Sequence, residues 1–138
     1  MVGCHRYTEV LMFELRVRRK FSAAHAIRMA GQLEPLHGHD WRVMVRVAGD
    51  ALDADGLLCD FHALEAAVDR AIAPFHSRSL NEVKPFDRTN PTAEHMARHI
   101  AEVVAGTLPK GVRLTCVRVG EAPGCDAVYR PNESTAKA

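Results

Sequence analysis

A chain of 138 residues, 47% of them hydrophobic, has the length of one domain with a core of its own. A formal net charge of +1 gives no bias toward nucleic acid or an anionic membrane as a partner. Cys4, Cys59, Cys116 and Cys125 form no C-x-x-C pair, and Met1 to Met12, interrupted by His5, Arg6 and Glu9, is too polar for a signal peptide or a spanning helix; no disulfide framework is expected, and the chain reads as soluble and cytoplasmic.

Residues 1–11 read as a flexible extension ahead of Met12, leaving 12–138 as a single domain. Phe13, Leu15 and Val17 alternate with Glu14, Arg16 and Arg18, which predicts a first strand running on toward Phe21 and His25. In the second strand Trp41, Val43, Val45 and Val47 alternate with Arg42, Met44 and Arg46; carried backward, that period puts His37 and His39 on one face. Asp53 to Gly56 is a turn, followed by a short buried stretch, Leu57 to Phe61, in which Asp60 is an N-cap. Leu64, Val68, Ala71 and Ile72 then recur at helical spacing until Pro74, with Glu65 and Asp69 facing outward. Phe75 to Pro91 has no period, and aperiodic stretches of that length in compact domains tend to be functional. Thr92 caps a second helix that runs through Met96, Ile100 and Val103 to Gly106. Pro109-Lys110-Gly111 turns the chain into a third strand, Val112 to Val119, and Asp126 to Arg130 is a fourth. The order strand-strand-helix-helix-strand-strand predicts an α+β fold, a four-stranded antiparallel sheet with both helices on one face. Its open edges call for oligomerisation.

His25, His37 and His39 carry the chemistry. Three neutral imidazoles converging on one point are the protein half of a catalytic zinc site, whose fourth position stays open. A purely structural site would close that position with a cysteine, for which Cys59 or Cys116 is available without ligand-like spacing. A cupin-like barrel also carries His-x-His, with Gly31 suitably placed, but the glutamate it needs is missing from Trp41-Arg42-Val43-Met44. A His-x-His-x-Asp-His hydrolase needs an aspartate where Trp41 stands.

Phe21-Ser22-Ala23-Ala24-His25, Leu36-His37-Gly38-His39, Cys59-Asp60-Phe61, Leu80-Asn81, Asn90-Pro91-Thr92-Ala93-Glu94 and Val119-Gly120-Glu121 occur in this order along residues 13–130. The ordered set resembles the family of 6-pyruvoyltetrahydropterin and 6-carboxytetrahydropterin synthases. The resemblance implies a tunnelling fold, with trimers whose strands close into a barrel, two trimers stacked as a homo-hexamer, and active sites at subunit interfaces. It implies Zn2+ on His25, His37 and His39, and a small-molecule pterin, 7,8-dihydroneopterin triphosphate, as substrate. It also implies that Glu121 anchors the pterin, helped by Thr92 from an adjacent subunit. The anchoring makes chemical sense, since a carboxylate accepts two N–H groups of the guanidine-like pterin edge at once.

Two departures matter. Common members of that family carry a catalytic cysteine four residues before the first histidine of H-x-H, where this chain has Leu33, which cannot ionise. Glu34 follows, giving Glu34-Pro35-Leu36-His37-Gly38-His39, which resembles a third class in which a glutamate replaces the cysteine and the side chain is cleaved to 6-hydroxymethyl-7,8-dihydropterin. A carboxylate beside a hydroxyl acidified by a metal is a competent general base for such a retro-aldol scission. The second departure is at His76-Ser77, where the family carries an Asp-His relay dyad. His76 is the residue around which a relay can be rebuilt; a serine is no base at neutral pH without activation. The alternatives are a 6-carboxy or 6-pyruvoyl product, serving queuosine-type or biopterin-type pathways, and a homologue that binds zinc and pterin without turnover. Arg28, Arg78, Lys84 and Arg88, read as loop cations, are candidates for contact with the triphosphate.

Overall fold

A computed structural model describes residues 12–132, so the expected extension over residues 1–11 lies outside the described residues. In chain order the elements are β1 (Phe13–His25), β2 (Arg28–Met29), β3 (Gln32–Leu33), β4 (His37–Gly49), α1 (Phe61–Ile72), β5 (Arg78–Ser79), α2 (Ala93–Ala105), β6 (Arg113–Ala122) and β7 (Cys125–Tyr129). The main sheet has the order β5-β1-β4-β6-β7. It is antiparallel throughout except where β5 lies parallel to Ala23 and Ala24 of β1. The four expected strands are thus joined by a fifth, drawn from the aperiodic segment. Two residues are too few to show a period, which is why β5 leaves no trace in the sequence pattern.

β1 and β4 pair from Phe13↔Gly49 to His25↔His37 without interruption. Their odd-numbered side chains, among them Val17, Phe21, Trp41, Val43, Val45 and Val47, form the core together with Leu64 and Val68 of α1 and Met96, Ile100 and Val104 of α2. The buried stripe of α2 ends on Val104 and not on Val103, which is 38% exposed. Asp60 caps α1 through the His62 N–H at 2.9 Å, and Thr92 caps α2 by accepting the His95 N–H at 3.1 Å. The stretch before α1 is less buried than expected: Leu57 and Phe61 are exposed, although Phe61, the first residue of the helix, shares the face of Leu64 and Val68.

Even-numbered positions of β1 and β4 face away from both helices. Arg16, Arg18, Lys20 and Arg42 lie there, and Arg118 of β6 joins them through its register with Met44. β6 keeps its own apolar residues inward by a bulge. Arg46 pairs with Cys116 but Val47 with Leu114, so Thr115 is left over, its hydroxyl donating to the Arg46 carbonyl at 3.2 Å. At the far end of β4 a Cβ on Gly49 would stand 2.7 Å from the Gly111 carbonyl oxygen, so only glycine admits that loop. Among the described residues no helix is long and apolar enough to cross a membrane.

Candidate active site

The register that pairs β1 with β4 also assembles the site, because β1 ends on His25, β4 begins on His37, and the two stand directly opposite each other. His39, opposite Ala23, shares the face of Trp41. Ring centroids are 4.8 Å apart for His25 and His37, 5.1 Å for His25 and His39, and 4.7 Å for His37 and His39. One ring nitrogen from each lies within 4.8 Å of the others.

The backbone sets the tautomer of two of these rings. His25 Nδ1 is 2.7 Å from the Pro91 carbonyl oxygen, and His37 Nδ1 is 2.9 Å from that of Pro35. A carbonyl only accepts, so each Nδ1 carries the proton and each Nε2 presents its lone pair. His25, 1% exposed, is the one buried polar residue of the described core. The Nε2 atoms of His25 and His39 are buried without a hydrogen-bond partner, a cost that a ligand using those lone pairs removes. Burial holds the His39 imidazole below its usual value, while Glu121 works against this and His25 and His37 add to it. The neutral form so favoured is the one a metal requires. The three histidines fit a metal ion that takes nitrogen ligands.

Two carboxylates flank the trio. Glu121 Oε2 is 3.6 Å from His25 Nε2, and Glu34 Oε1 is 3.7 Å from His37 Nε2. Glu34 is fixed on both sides of Ile27, whose N–H donates to Oε1 at 3.1 Å and whose carbonyl accepts the Glu34 N–H at 3.0 Å. Leu33, paired with Arg28 in the β2–β3 hairpin, is 57% exposed.

Sequence reasoning missed what holds the chain after His25. The Asn81 amide accepts the Ala26 N–H at 2.9 Å and donates to its carbonyl at 2.8 Å. Asn90 does the same for Arg28, at 2.8 and 2.9 Å. Each side chain acts as a short strand against one residue, so Ala26, Ile27 and Arg28 are clamped in turn by Asn81, Glu34 and Asn90. The signal lay in Leu80-Asn81 and Asn90-Pro91-Thr92, where an amide offers the donor and acceptor of a peptide group.

Of the other expected site residues, His76 is exposed and stands beside β1. Its Nδ1 accepts the Ser22 N–H at 3.1 Å, so Nε2 carries the proton in the neutral ring. Thr92 stands one residue beyond Pro91, its oxygen engaged as the α2 cap and its hydroxyl proton left as a donor.

Residues 14–132 match the family model described as 6-pyruvoyl tetrahydropterin synthase. The chain belongs to that family. It is 35% identical over 130 residues to the 6-carboxy-5,6,7,8-tetrahydropterin synthase of Bacillus subtilis, covering 88% of this chain and 87% of that protein. Among solved structures it is similar to the 6-pyruvoyl tetrahydropterin synthase of Caenorhabditis elegans, with a TM-score of 0.77 at 20% identity over 88% of this chain and 96% of that one. It is also similar to the 6-pyruvoyltetrahydropterin synthase of Plasmodium vivax in a form whose catalytic glutamate is replaced by alanine, with a TM-score of 0.72 at 20% identity over 88% and 98%. These neighbours share the tunnelling fold, and the strand order and paired helices of this chain are that fold. Family membership makes it a pterin synthase relative whose histidine trio is consistent with the metal site of such proteins.

Proposed function

We propose that this chain is a zinc-dependent pterin lyase that acts on 7,8-dihydroneopterin triphosphate and cleaves its side chain to 6-hydroxymethyl-7,8-dihydropterin. The observation that carries the reading is the Glu34 carboxylate 3.7 Å from His37 Nε2, one residue after an exposed leucine that has no acid–base chemistry. His25, His37 and His39 hold the zinc. When bound, it supplies Lewis acidity that lowers the pKa of a nearby side-chain hydroxyl. Glu34, held by Ile27, takes the proton of the hydroxyl on the second side-chain carbon; as the bond to the first carbon breaks, the second becomes the aldehyde of the departing two-carbon triphosphate fragment, and the electron pair left on the first, delocalised into the pterin, takes up a proton to give the hydroxymethyl group. Glu121 accepts two N–H groups of the pterin edge and fixes which carbons face Glu34. Thr92, with its hydroxyl proton free, donates to the pterin of an adjacent subunit in a homo-hexamer of two stacked trimers. His76 presents Nε2–H and acts as a proton donor late in the reaction rather than as a first base. The replacement of a catalytic glutamate in the Plasmodium vivax relative supports a carboxylate base at such a site.

The identity to the Bacillus subtilis protein favours a second reading, formation of 6-carboxy-5,6,7,8-tetrahydropterin. One experiment separates the two. Zinc-loaded protein is incubated with 7,8-dihydroneopterin triphosphate and the released pterin is identified by mass spectrometry. Release of 6-hydroxymethyl-7,8-dihydropterin upholds the first reading, a carboxy product replaces it with the second, and unchanged substrate that remains tightly bound indicates a binding homologue.

A further inference from the structure

Glu34 and His25 are held by different kinds of structure. His25 ends the β1–β4 ladder with a side chain that is 1% exposed, whereas Glu34 follows the β2–β3 hairpin, whose residues 28–33 are all exposed. The two rungs of that hairpin, Arg28↔Leu33 and Met29↔Gln32, pair it only with itself. A two-stranded ribbon of that length is not stable alone in water, so among the described residues it is the base of the hairpin that ties it to the domain. There Ile27 and Glu34 share two hydrogen bonds, and the Arg28 N–H and carbonyl meet the Asn90 amide at 2.8 and 2.9 Å. Asn90 is held in turn. Its carbonyl accepts the Thr92 N–H at 2.8 Å and His95 Nδ1–H at 2.7 Å, and the next carbonyl, that of Pro91, accepts His25 Nδ1–H at 2.7 Å. His95 stands in the first turn of α2, directly before Met96 and Ala97, which are wholly buried in the core. One dipeptide, Asn90-Pro91, thus orients the ring of His25 through its second carbonyl and the base of the Glu34 hairpin through its first side chain.

We propose that Asn90 and His95 are positioning residues that keep the Glu34 carboxylate in register with His25, Asn90 through Arg28 and Ile27, and His95 through the Asn90-Pro91 backbone. The proposal rests on the reading of Glu34 as the base. Its physical reason is the narrow tolerance of proton transfer, in which a misplacement of about 1 Å costs on the order of a hundredfold in rate. The Ile27 N–H and His37 Nε2 both face Oε1 of Glu34, at 3.1 and 3.7 Å, which leaves Oε2 to take the proton. No other hydrogen bond holds this carboxylate among the described residues, so release of Ile27 lets it turn about its own side-chain bonds. Asn81 grips Ala26, one residue after His25, and so steadies one side of Ile27 while leaving the hairpin side to Asn90.

The test joins a double-mutant cycle between Asn90→Ala and Glu34→Gln, run on the zinc-loaded full chain with 7,8-dihydroneopterin triphosphate, to amide hydrogen exchange followed by NMR in the metal-free protein. Asn90→Ala should lower kcat about tenfold or more, with KM and zinc affinity within about twofold of wild type, and in the Glu34→Gln background it should cost about twofold at most. Asn90→Asp, which still accepts the Arg28 N–H, should recover part of the loss. In the exchange measurement Asn90→Ala should speed the Ile27 and Glu34 amides about tenfold, although neither amide is bonded to Asn90. His95→Leu should reproduce that acceleration and weaken zinc as well, because the Pro91 carbonyl that orients His25 moves with Asn90. The proposal is overturned if Asn90→Ala frees the Arg28 amide alone, or if its cost in kcat adds in full to that of Glu34→Gln, the pattern of a general loosening. His95→Leu with zinc affinity and all three amides unchanged overturns the part assigned to His95. Failure of the functional reading looks different: Glu34→Gln turns over as wild type does, or wild type turns over nothing, while the Ile27 and Glu34 amides still depend on Asn90.

Discussion

His25 and His37 make the same kind of bond from Nδ1 but stand in different surroundings, and that difference separates folding from ligation. The His25 side chain is 1% exposed and supports the Pro91 carbonyl, whereas that of His37 is 41% exposed. His25→Ala leaves a cavity and an unpaired buried carbonyl, so the metal-free protein should lose about 2 kcal/mol or more in urea unfolding. His37→Ala should unfold nearly as wild type. Each should bind zinc far more weakly than wild type, and full zinc occupancy in a His37→Ala, His39→Ala double variant contradicts the metal assignment. The two glutamates are separable by a change that keeps their shape. Glu121→Gln replaces a doubly accepting carboxylate by an amide and should weaken pterin binding by about 2 kcal/mol, read by titration. Glu34→Gln still accepts from Ile27 and should retain zinc and pterin while turnover collapses. Unchanged turnover would move the base elsewhere. The histidines and Glu34 were legible because strand alternation and H-x-H spacing are local. The clamps of Asn81 and Asn90 were not, since they join residues 55 and 62 positions apart.

Elements were readable where a period had room to repeat. β1, β4 and both helices stand close to where alternation and helical spacing put them, and their caps, Asp60 and Thr92, are the expected ones. β5, the β2–β3 hairpin and the bulge at Thr115 were not readable, because each depends on one or two residues meeting partners elsewhere in the fold. Inside the aperiodic segment Phe75 and Phe86 are buried and enclose His99 of α2, at centroid distances of 5.5 and 5.8 Å. Burial holds the His99 imidazole below its usual value of 6.5, with Glu102 opposing. In the unfolded chain this group takes up its proton near pH 6.5, while the folded one resists until lower pH. Its contribution therefore destabilises the fold as pH falls below 6.5 and levels off below the folded value. His99→Phe should flatten that part of the stability profile in metal-free protein; an unaltered acid limb in thermal melts between pH 7 and 5 would assign the sensitivity to another group.

At the scale of the molecule, the sheet is open along both edges. β5 covers only Ala23 and Ala24 of β1, and β7 ends the opposite edge with no strand beyond it among the described residues. Both edges offer unpaired peptide groups, which favours closure by further copies. Sedimentation at micromolar concentration should give a hexamer. A persistent monomer would set aside the proposal that Thr92 serves a neighbouring subunit's site. One detail of this sheet governs how the molecule tolerates change. The extra residue at Thr115 lets β6 shift its phase between Leu114 and Cys116, so the two ends of the strand keep separate counts. An insertion in the loop before Arg113 can be absorbed there without turning Val117 or Val119 outward. β4 has no such slack against β1: one residue added between His39 and Val45 would exchange oil for charge along the remaining ladder and swing the histidines away from each other. The β1–β4 ladder thus admits no insertion near the histidines, while the loop before β6, at the remote end, can lengthen as the chemistry keeps time.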